Sequence, residues 1–205
     1  MQIQLQNISK RYGFEWIFKN VTFDFEAKNK YAIVGPNGSG KSTLLKIISN
    51  GLVPTSGNIS YSVENKIIKD EHKIAQEIAY AAPYISLTED YTLQELYEFH
   101  TSFKKLKVEN IDAFYEVSQL GKHKHKYVKN FSSGMKQRLK LSLAFLSETK
   151  VLLLDEPTSN FDTKAIDWYF GLIEKYTQDR LLIIGSNQAY EYDCCPTKLD
   201  VMGYK

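Results

Sequence analysis

Long apolar runs, cysteines and an excess of either charge are what this chain has little of, and each shortage removes a class of function. The longest apolar stretch is the "IAYAAPYI" of residues 78–85, about eight residues against the roughly 20 that span a bilayer. A membrane role therefore has to come through a partner. The opening "MQIQLQNISKRYG" lacks the apolar core of a secretory signal. The two cysteines, Cys194 and Cys195, are adjacent, and no second pair accompanies them. Neighbouring cysteines seldom bridge, and one pair does not build a metal site, so two reduced thiols in a cytosolic protein are expected. Lys and Arg number 26 against 24 Asp and Glu, a net charge of +2. That balance leaves no basic footprint over the whole surface, and no nucleic-acid partner is expected. Repeats, low-complexity tracts and Gly/Ser/Pro linkers are also missing. The 205 residues thus read as one domain, residues 1–205, or a domain with a modest subdomain.

What is present alternates. "IQLQNISKRY" and "NVTFDFEA" have the two-residue period of strands, with Val21, Phe23 and Phe25 on one face of the second. "KYAIVG" is a buried strand that runs into a glycine-rich turn and then the helix "KSTLLKIISN", with Gly51 as its C-cap and Pro54 as a stop. "YTLQELYEFHTSF" opens on a capping box, Thr92 to Glu95, and keeps Leu93, Leu96, Tyr97 and His100 near one face. "ENIDAFYEVSQL" is another helix, and between about residues 82 and 130 there is no convincing strand. Then follow helix "SSGMKQRLKLSLAFL", strand "VLLLD", helix "DTKAIDWYFGLIEKYT" and a last strand, "LLIIG". Strands alternating with helices predict a mainly parallel sheet with a helical insertion.

"GPNGSGKS" satisfies G-x-x-x-x-G-K-[ST] in full and stands between a strand and a helix, as its mechanism requires. Gly35, Pro36, Asn37, Gly38, Ser39 and Gly40 would wrap a phosphate chain with backbone N–H groups turned inward. The helix start at Lys41, Ser42 and Thr43 would add its dipole. Lys41 would reach the β- and γ-phosphates, and the Ser42 hydroxyl would bind Mg²⁺. Some 110 residues later, the apolar "VLLL" ends in Asp155 and Glu156. This arrangement suits Asp155 to the Mg²⁺ shell and Glu156 to orienting an attacking water. A nucleotide site is expected. "GKHKHKYVK", residues 121–129, invites a metal through its H-x-H, but its lysines would repel a cation, and a solvated basic loop is expected instead.

Between these motifs lies "NFSSGMKQRL". In this order and spacing, the P-loop, "FSSGMKQR" and "LLLDEPTSNFD" resemble the nucleotide-binding subunit of ABC transporters over nearly the whole chain. The resemblance implies an α/β P-loop NTPase fold: a mainly parallel sheet, N-terminal antiparallel strands and a helical subdomain at about residues 83–148. It implies a head-to-tail dimer of two copies around two MgATP. In that dimer Ser132, Ser133 and Gly134 of one copy cap the γ-phosphate held by the other, and Asp162 couples the two sites. Tyr12 takes the place of the aromatic that stacks on adenine. The partners implied are a second copy and an integral membrane permease, which would hold the ATPase at the cytoplasmic face of the membrane. The usual L-S-G-G-Q has become Phe131-Ser132-Ser133-Gly134-Met135, with three positions changed.

Two further departures stand out. The family's glutamine at the entrance to the helical subdomain falls on Pro83 or Tyr84, neither an amide side chain, though an aromatic there suits docking. The family's histidine after the last strand is Asn187, which can donate to a phosphate but cannot carry charge or shuttle a proton. The sequence thus reads as a transport ATPase. A regulatory ATP-binding module of low turnover, or a relative acting on ribosomes or DNA, is the alternative. Neither a tandem domain nor an N-K-x-D base-reading motif is present.

Overall fold

The computed structural model describes residues 1–205. In chain order the elements are β1 (Gln2–Tyr12), β2 (Glu15–Phe25), β3 (Lys30–Val34), α1 (Lys41–Ile48), β4 (Ser56–Val63), β5 (Lys66–Ile68), α2 (Glu71–Glu77), β6 (Ile78–Ala81), α3 (Leu93–Phe103), α4 (Ile111–Ser118), α5 (Ser133–Leu146), β7 (Val151–Asp155), α6 (Thr163–Tyr176), β8 (Leu181–Gly185) and β9 (Thr197–Asp200). They fall into two compact units. One holds residues 1–80, 149–156 and 178–205; the other holds residues 81–148 and 157–177. The second unit is larger than the 83–148 insertion expected from sequence, because α6 belongs to it.

The first unit contains two sheets. β2-β1-β4-β5 is antiparallel, and β6-β7-β8-β3-β9 is built around the parallel pairs β7/β8, β8/β3 and β3/β9. All five residues of β7 and of β8 are buried, which is why "VLLLD" and "LLIIG" are uninterrupted apolar runs rather than alternating ones. In β1 the period of two breaks between Leu5 and Ile8, both fully buried and three residues apart. The register shifts there, and Asn7 takes a left-handed φ of 53°, so a bulge returns Ile8 to the core face. The chain does not end its strands at "LLIIG" as expected: Thr197–Asp200 adds β9 beside β3. Strands β4 to β6 are not predicted from the sequence: β4 lacks a regular apolar alternation, and β5 and β6 span only three and four residues.

Helix α1 ends at Ile48 with Ser49 as its C-cap, two residues earlier than expected. The left-handed residue is Asn50 (φ 60°), not Gly51. Asn50 N–H donates to Ile47 O and Gly51 N–H to Lys46 O, which satisfies the last carbonyls.

The second unit packs Leu93, Leu96, Phe114, Val128, Phe131, Leu139, Leu143 and Leu146 into its own core. The capping box at Thr92 and Glu95 forms in both directions. His100 turns inward at the other end of α3, its Nε2 3.1 Å from Ser147 Oγ, whose own hydroxyl donates to Leu143 O. Burial first, and nearby Lys104 second, push the imidazole down from 6.5 to about 4.

The fold therefore favours neutral His100, while the unfolded chain protonates it below about 6.5. The stability His100 contributes is present above that pH and is lost as pH falls from 6.5 through about 4, a span worth at most about 3 kcal/mol. Urea titrations should find the advantage of wild type over His100→Gln largest near neutral pH and shrinking across that window. A difference that does not vary with pH would contradict it.

Candidate functional site

The turn from β3 into α1 is the phosphate-loop sequence, and its backbone is set by glycine. Gly35, Gly38 and Gly40 have φ of 145°, 77° and 109°. Gly40 admits no side chain, since a Cβ would come within 2.5 Å of Ile17 Cγ2 and 3.1 Å of Phe18 Cδ1. The hairpin β1–β2 thus presses on the loop just where α1 begins. Lys41 is buried and donates to the carbonyls of Gly35 and Pro36 at 3.0 and 3.1 Å. Its ammonium is curled into the loop, pre-positioned for an anion that would offer stronger acceptors. The Ser39 hydroxyl is buried and has no hydrogen-bond partner within the protein.

A cleft of about 190 Å³ opens over this loop, lined by Ile17, Asn37, Gly38, Gly40, Lys41, Ser42, Thr43 and Glu156. A larger cleft, about 560 Å³, lies among Met1, Glu26, Lys28, Glu64, Lys150 and Asp179. Its lining has mixed charges, whereas the smaller cleft lies over the glycine loop.

Three strand ends supply the rest of this half of the site. Asp155 ends β7 with 1% exposure, and the Tyr80 hydroxyl of β6 lies 3.4 Å from its Oδ2. Glu156 follows at a left-handed φ of 41°, a conformation costing a non-glycine residue about 1–3 kcal/mol. Its N–H is fastened to Gly185 O at 2.8 Å. At the end of β8, Ser186 is buried and hydrogen-bonded to the buried carboxylate of Glu191. The next residue, Asn187, is exposed, and its Nδ2 donates to Asn37 Oδ1 of the phosphate loop at 2.9 Å. Two amides 150 residues apart thus meet at the loop. Tyr12 is 52% exposed at the end of β1.

The serine–glycine motif lies in the second unit. Ser132 is the N-cap of α5, its Oγ accepting from Met135 N–H at 3.2 Å. A hydroxyl that accepts still has its own proton to give, and the amides of Ser133 and Gly134 are first-turn donors with no partner inside the helix. These three residues share a cleft of about 370 Å³ with Arg138, Asn160, Phe161 and Asp162. Asp162 caps α6 through Ala165 N–H at 2.8 Å.

Two residues just after the serine–glycine pair, Gln137 and Arg138, make contacts that hold this region together. Buried Gln137 donates to Pro157 O at 2.9 Å, and the Arg138 guanidinium lies 4.5 Å from the Trp168 ring centroid. Sequence reasoning missed both, although the i, i+3 spacing of Gly134 and Gln137 placed the glutamine toward the same side of α5.

Pro83 is half-buried, and Tyr84 is exposed. The loop's carbonyls are occupied: Lys140 of α5 donates to Ala82 O at 3.3 Å and also to Pro83 O. Burial, and then Lys136, lower the Lys140 pKa. His123 packs its ring 6.3 Å from Phe131, and His125 is exposed, so the two are not paired.

The residues fit MgATP on their own chemistry. A concave glycine loop, an orphan buried hydroxyl and an enclosed ammonium suit a polyphosphate. Ser42 and Asp155 offer only oxygen, the donor that Mg²⁺ prefers alongside phosphates.

Comparison with known proteins bears on this geometry. The sequence matches the family described as ABC transporter over residues 18–159. The lantibiotic transport ATP-binding protein SrtF of Streptococcus pyogenes is 31% identical over 185 residues, covering 90% of this chain and 79% of that protein. The cytochrome c biogenesis ATP-binding export protein CcmA of Wolbachia pipientis wMel is 29% identical, covering 98% of this chain and 97% of its own. A putative ABC transporter ATP-binding protein from Pyrococcus furiosus superposes with a TM-score of 0.81 at 22% identity, with 100% of both chains covered. A dimeric ATP-binding cassette, solved in a post-hydrolysis state with ADP and Pi, superposes with a TM-score of 0.81 at 20% identity, covering 97% of this chain and 93% of that one. At those identities the two structures speak for the fold alone.

The loop geometry makes a prediction that separates backbone strain from obstruction. Gly38→Ala meets nothing within 4 Å and has only its positive φ to overcome, about 1 kcal/mol. Gly40→Ala carries the same kind of strain plus the collision with Ile17, and should cost about 2–4 kcal/mol in urea unfolding. Equal losses for the two variants would show that Ile17 does not constrain the loop.

Proposed function

This chain belongs to the ABC transporter family, and from that premise we propose that it is the ATP-hydrolysing subunit that powers a separate membrane permease. The observation that carries the reading is the one cleft where Lys41, Ser42 and Glu156 converge on the glycine loop. Lys41 would exchange the carbonyls of Gly35 and Pro36 for phosphate oxygens, a charge-assisted contact. Ser42 and Asp155 would hold Mg²⁺, which neutralises charge on the transferring phosphoryl group when bound. Tyr80, touching Asp155, would orient that carboxylate. Glu156 would align a water, its carboxylate aimed into the cleft by the strained backbone at its own Cα. Tyr12 would stack on the adenine.

The second half of the reaction needs a second copy. Ser132, Ser133 and Gly134 would present the Ser132 O–H and two backbone N–H groups to the γ-phosphate held by the partner, with Asp162 beside them. Closing and reopening of that head-to-tail dimer would be a two-state element biased by ATP. No helix is long and apolar enough to cross a membrane. The permease would therefore hold this subunit at the cytoplasmic face, and Tyr84, Phe99 and Phe103, exposed in the helical unit, suit such a contact. One observation favours a second reading, a regulatory ATP-binding module of low turnover. The loop at Pro83 is fastened through its carbonyls by Lys140 and offers no side-chain amide.

Replacing Glu156 with Gln should leave nucleotide binding intact, stop turnover and trap a dimer in ATP, seen by size-exclusion chromatography. Lys41→Ala should abolish that dimer by removing MgATP affinity. A monomeric Glu156→Gln variant saturated with ATP would sink the composite site. Wild-type turnover that stays negligible with the permease present would favour the regulatory reading.

Asn187 would donate to the γ-phosphate; Asn187→Ala would remove that hydrogen bond to a charged group, worth about 1.5–3 kcal/mol, and should slow hydrolysis by roughly 10- to 150-fold. Asn187→His should keep the contact and introduce a pH dependence between about 6 and 7. An alanine variant as fast as wild type would leave Asn187 with only its bond to Asn37.

A further inference from the structure

The hairpin β1–β2 turns through Gly13 and Phe14, with Gly13 at a left-handed φ of 58°. Tyr12 and Glu15 flank the turn as cross-strand partners. Directly opposed residues share a sheet face, with Cβ atoms roughly 5 Å apart. Lys10 lies two residues before Tyr12, also on that face, its Nζ 5.3 Å from the Tyr12 ring centroid and bonded to Val53 O at 2.8 Å.

The next pairs are Arg11 with Trp16 and Lys10 with Phe18, so Ile17 is the extra residue of a bulge. The bulge turns Ile17 and Phe18 the same way, and both would touch a Cβ placed on Gly40. Lys10, paired with Phe18, ties this side to the face of Tyr12 and Glu15. That face therefore overlooks the phosphate loop. Arg11 and Trp16 stack on the opposite face, 5.6 Å from guanidinium to ring centroid.

The Tyr12 ring has Lys10 on one side and is otherwise open. A base laid on its open side has one edge next to Glu15. An ionised carboxylate only accepts hydrogen bonds. Adenine carries a donor, the 6-amino group. Hypoxanthine and guanine carry an acceptor, the 6-oxo group, which a carboxylate repels.

We propose that Glu15 is the specificity-determining residue for the base, accepting a hydrogen bond from the 6-amino group of an adenine stacked on Tyr12. The inference rests on the ATP reading above and adds to it the group that tells ATP from 6-oxopurine nucleotides.

The test is equilibrium binding of ATP, ITP and GTP, with Mg²⁺, to wild type, Glu15→Gln, Glu15→Lys and Lys41→Ala. Glu15 lies on the surface at a hairpin end, and matching melting curves will establish that its variants fold. Wild type should prefer ATP to ITP by about 5- to 10-fold, the size of one ordinary net hydrogen bond, since the edge of the base stays open to water. Glu15→Gln, which can both donate and accept, should bring the two within about 2-fold. Glu15→Lys should favour ITP. An ATP-to-ITP ratio unchanged in both variants would overturn the proposal while leaving the nucleotide site standing. GTP binding tighter than ATP and ITP, weakened by Glu15→Gln, would also overturn it, placing the carboxylate at the 1,2-edge of guanine. Should wild type bind none of the three, or Lys41→Ala bind ATP as wild type does, the ATP reading itself fails.

Discussion

The left-handed backbone at Gly40, pressed between the hairpin residues Ile17 and Phe18 and the first turn of α1, is the constraint on which the rest of the site depends. A loop that turns its N–H groups inward cannot also satisfy them by regular secondary structure. It must be braced from outside, and the bulge in β2 provides that by aiming two apolar side chains at one glycine. The same bulge puts Tyr12 and Glu15 over the loop. Bracing the glycine loop and placing Tyr12 and Glu15 at the end of the same hairpin are therefore consequences of one irregularity in strand pairing.

The chemistry gathers where parallel strands end. In β7 and β8 every residue is buried, so functional groups appear at the strand ends: Asp155 is the last residue of β7, and Glu156 and Asn187 lie beyond the ladder. Glu156 shows the cost of this arrangement. Its backbone is held in a conformation it would not choose, and its N–H is anchored on Gly185 across the sheet. Asn187, one residue beyond buried Ser186, reaches Asn37 because Glu191 holds that serine in place.

The loop at Pro83 and Tyr84, where no side-chain amide stands, is held by other contacts. Proline at position 83 has no side-chain donor, and its carbonyl instead accepts from Lys140, an ammonium drawn out of water along α5. Tyr80 brings a hydroxyl to Asp155 from the neighbouring strand. The Lys140 contacts tie the position of the loop to the helix that carries Ser132 and Gly134.

Patterns with a short period were legible in the amino-acid order: the apolar runs of β7 and β8, the capping box at Thr92, and the glycine loop itself. Each is settled by a few consecutive residues, through burial on two faces or a side chain meeting its own helix start. The sequence by itself therefore determined the α/β alternation and the identity of the phosphate-binding and acidic elements. Tertiary structure alone decided β9 at the sheet edge, the bulge at Ile17, the bond between Asn187 and Asn37, and the grip of Gln137 on Pro157. These contacts join residues far apart in the chain or depend on strand register, and neither leaves a periodic trace in composition.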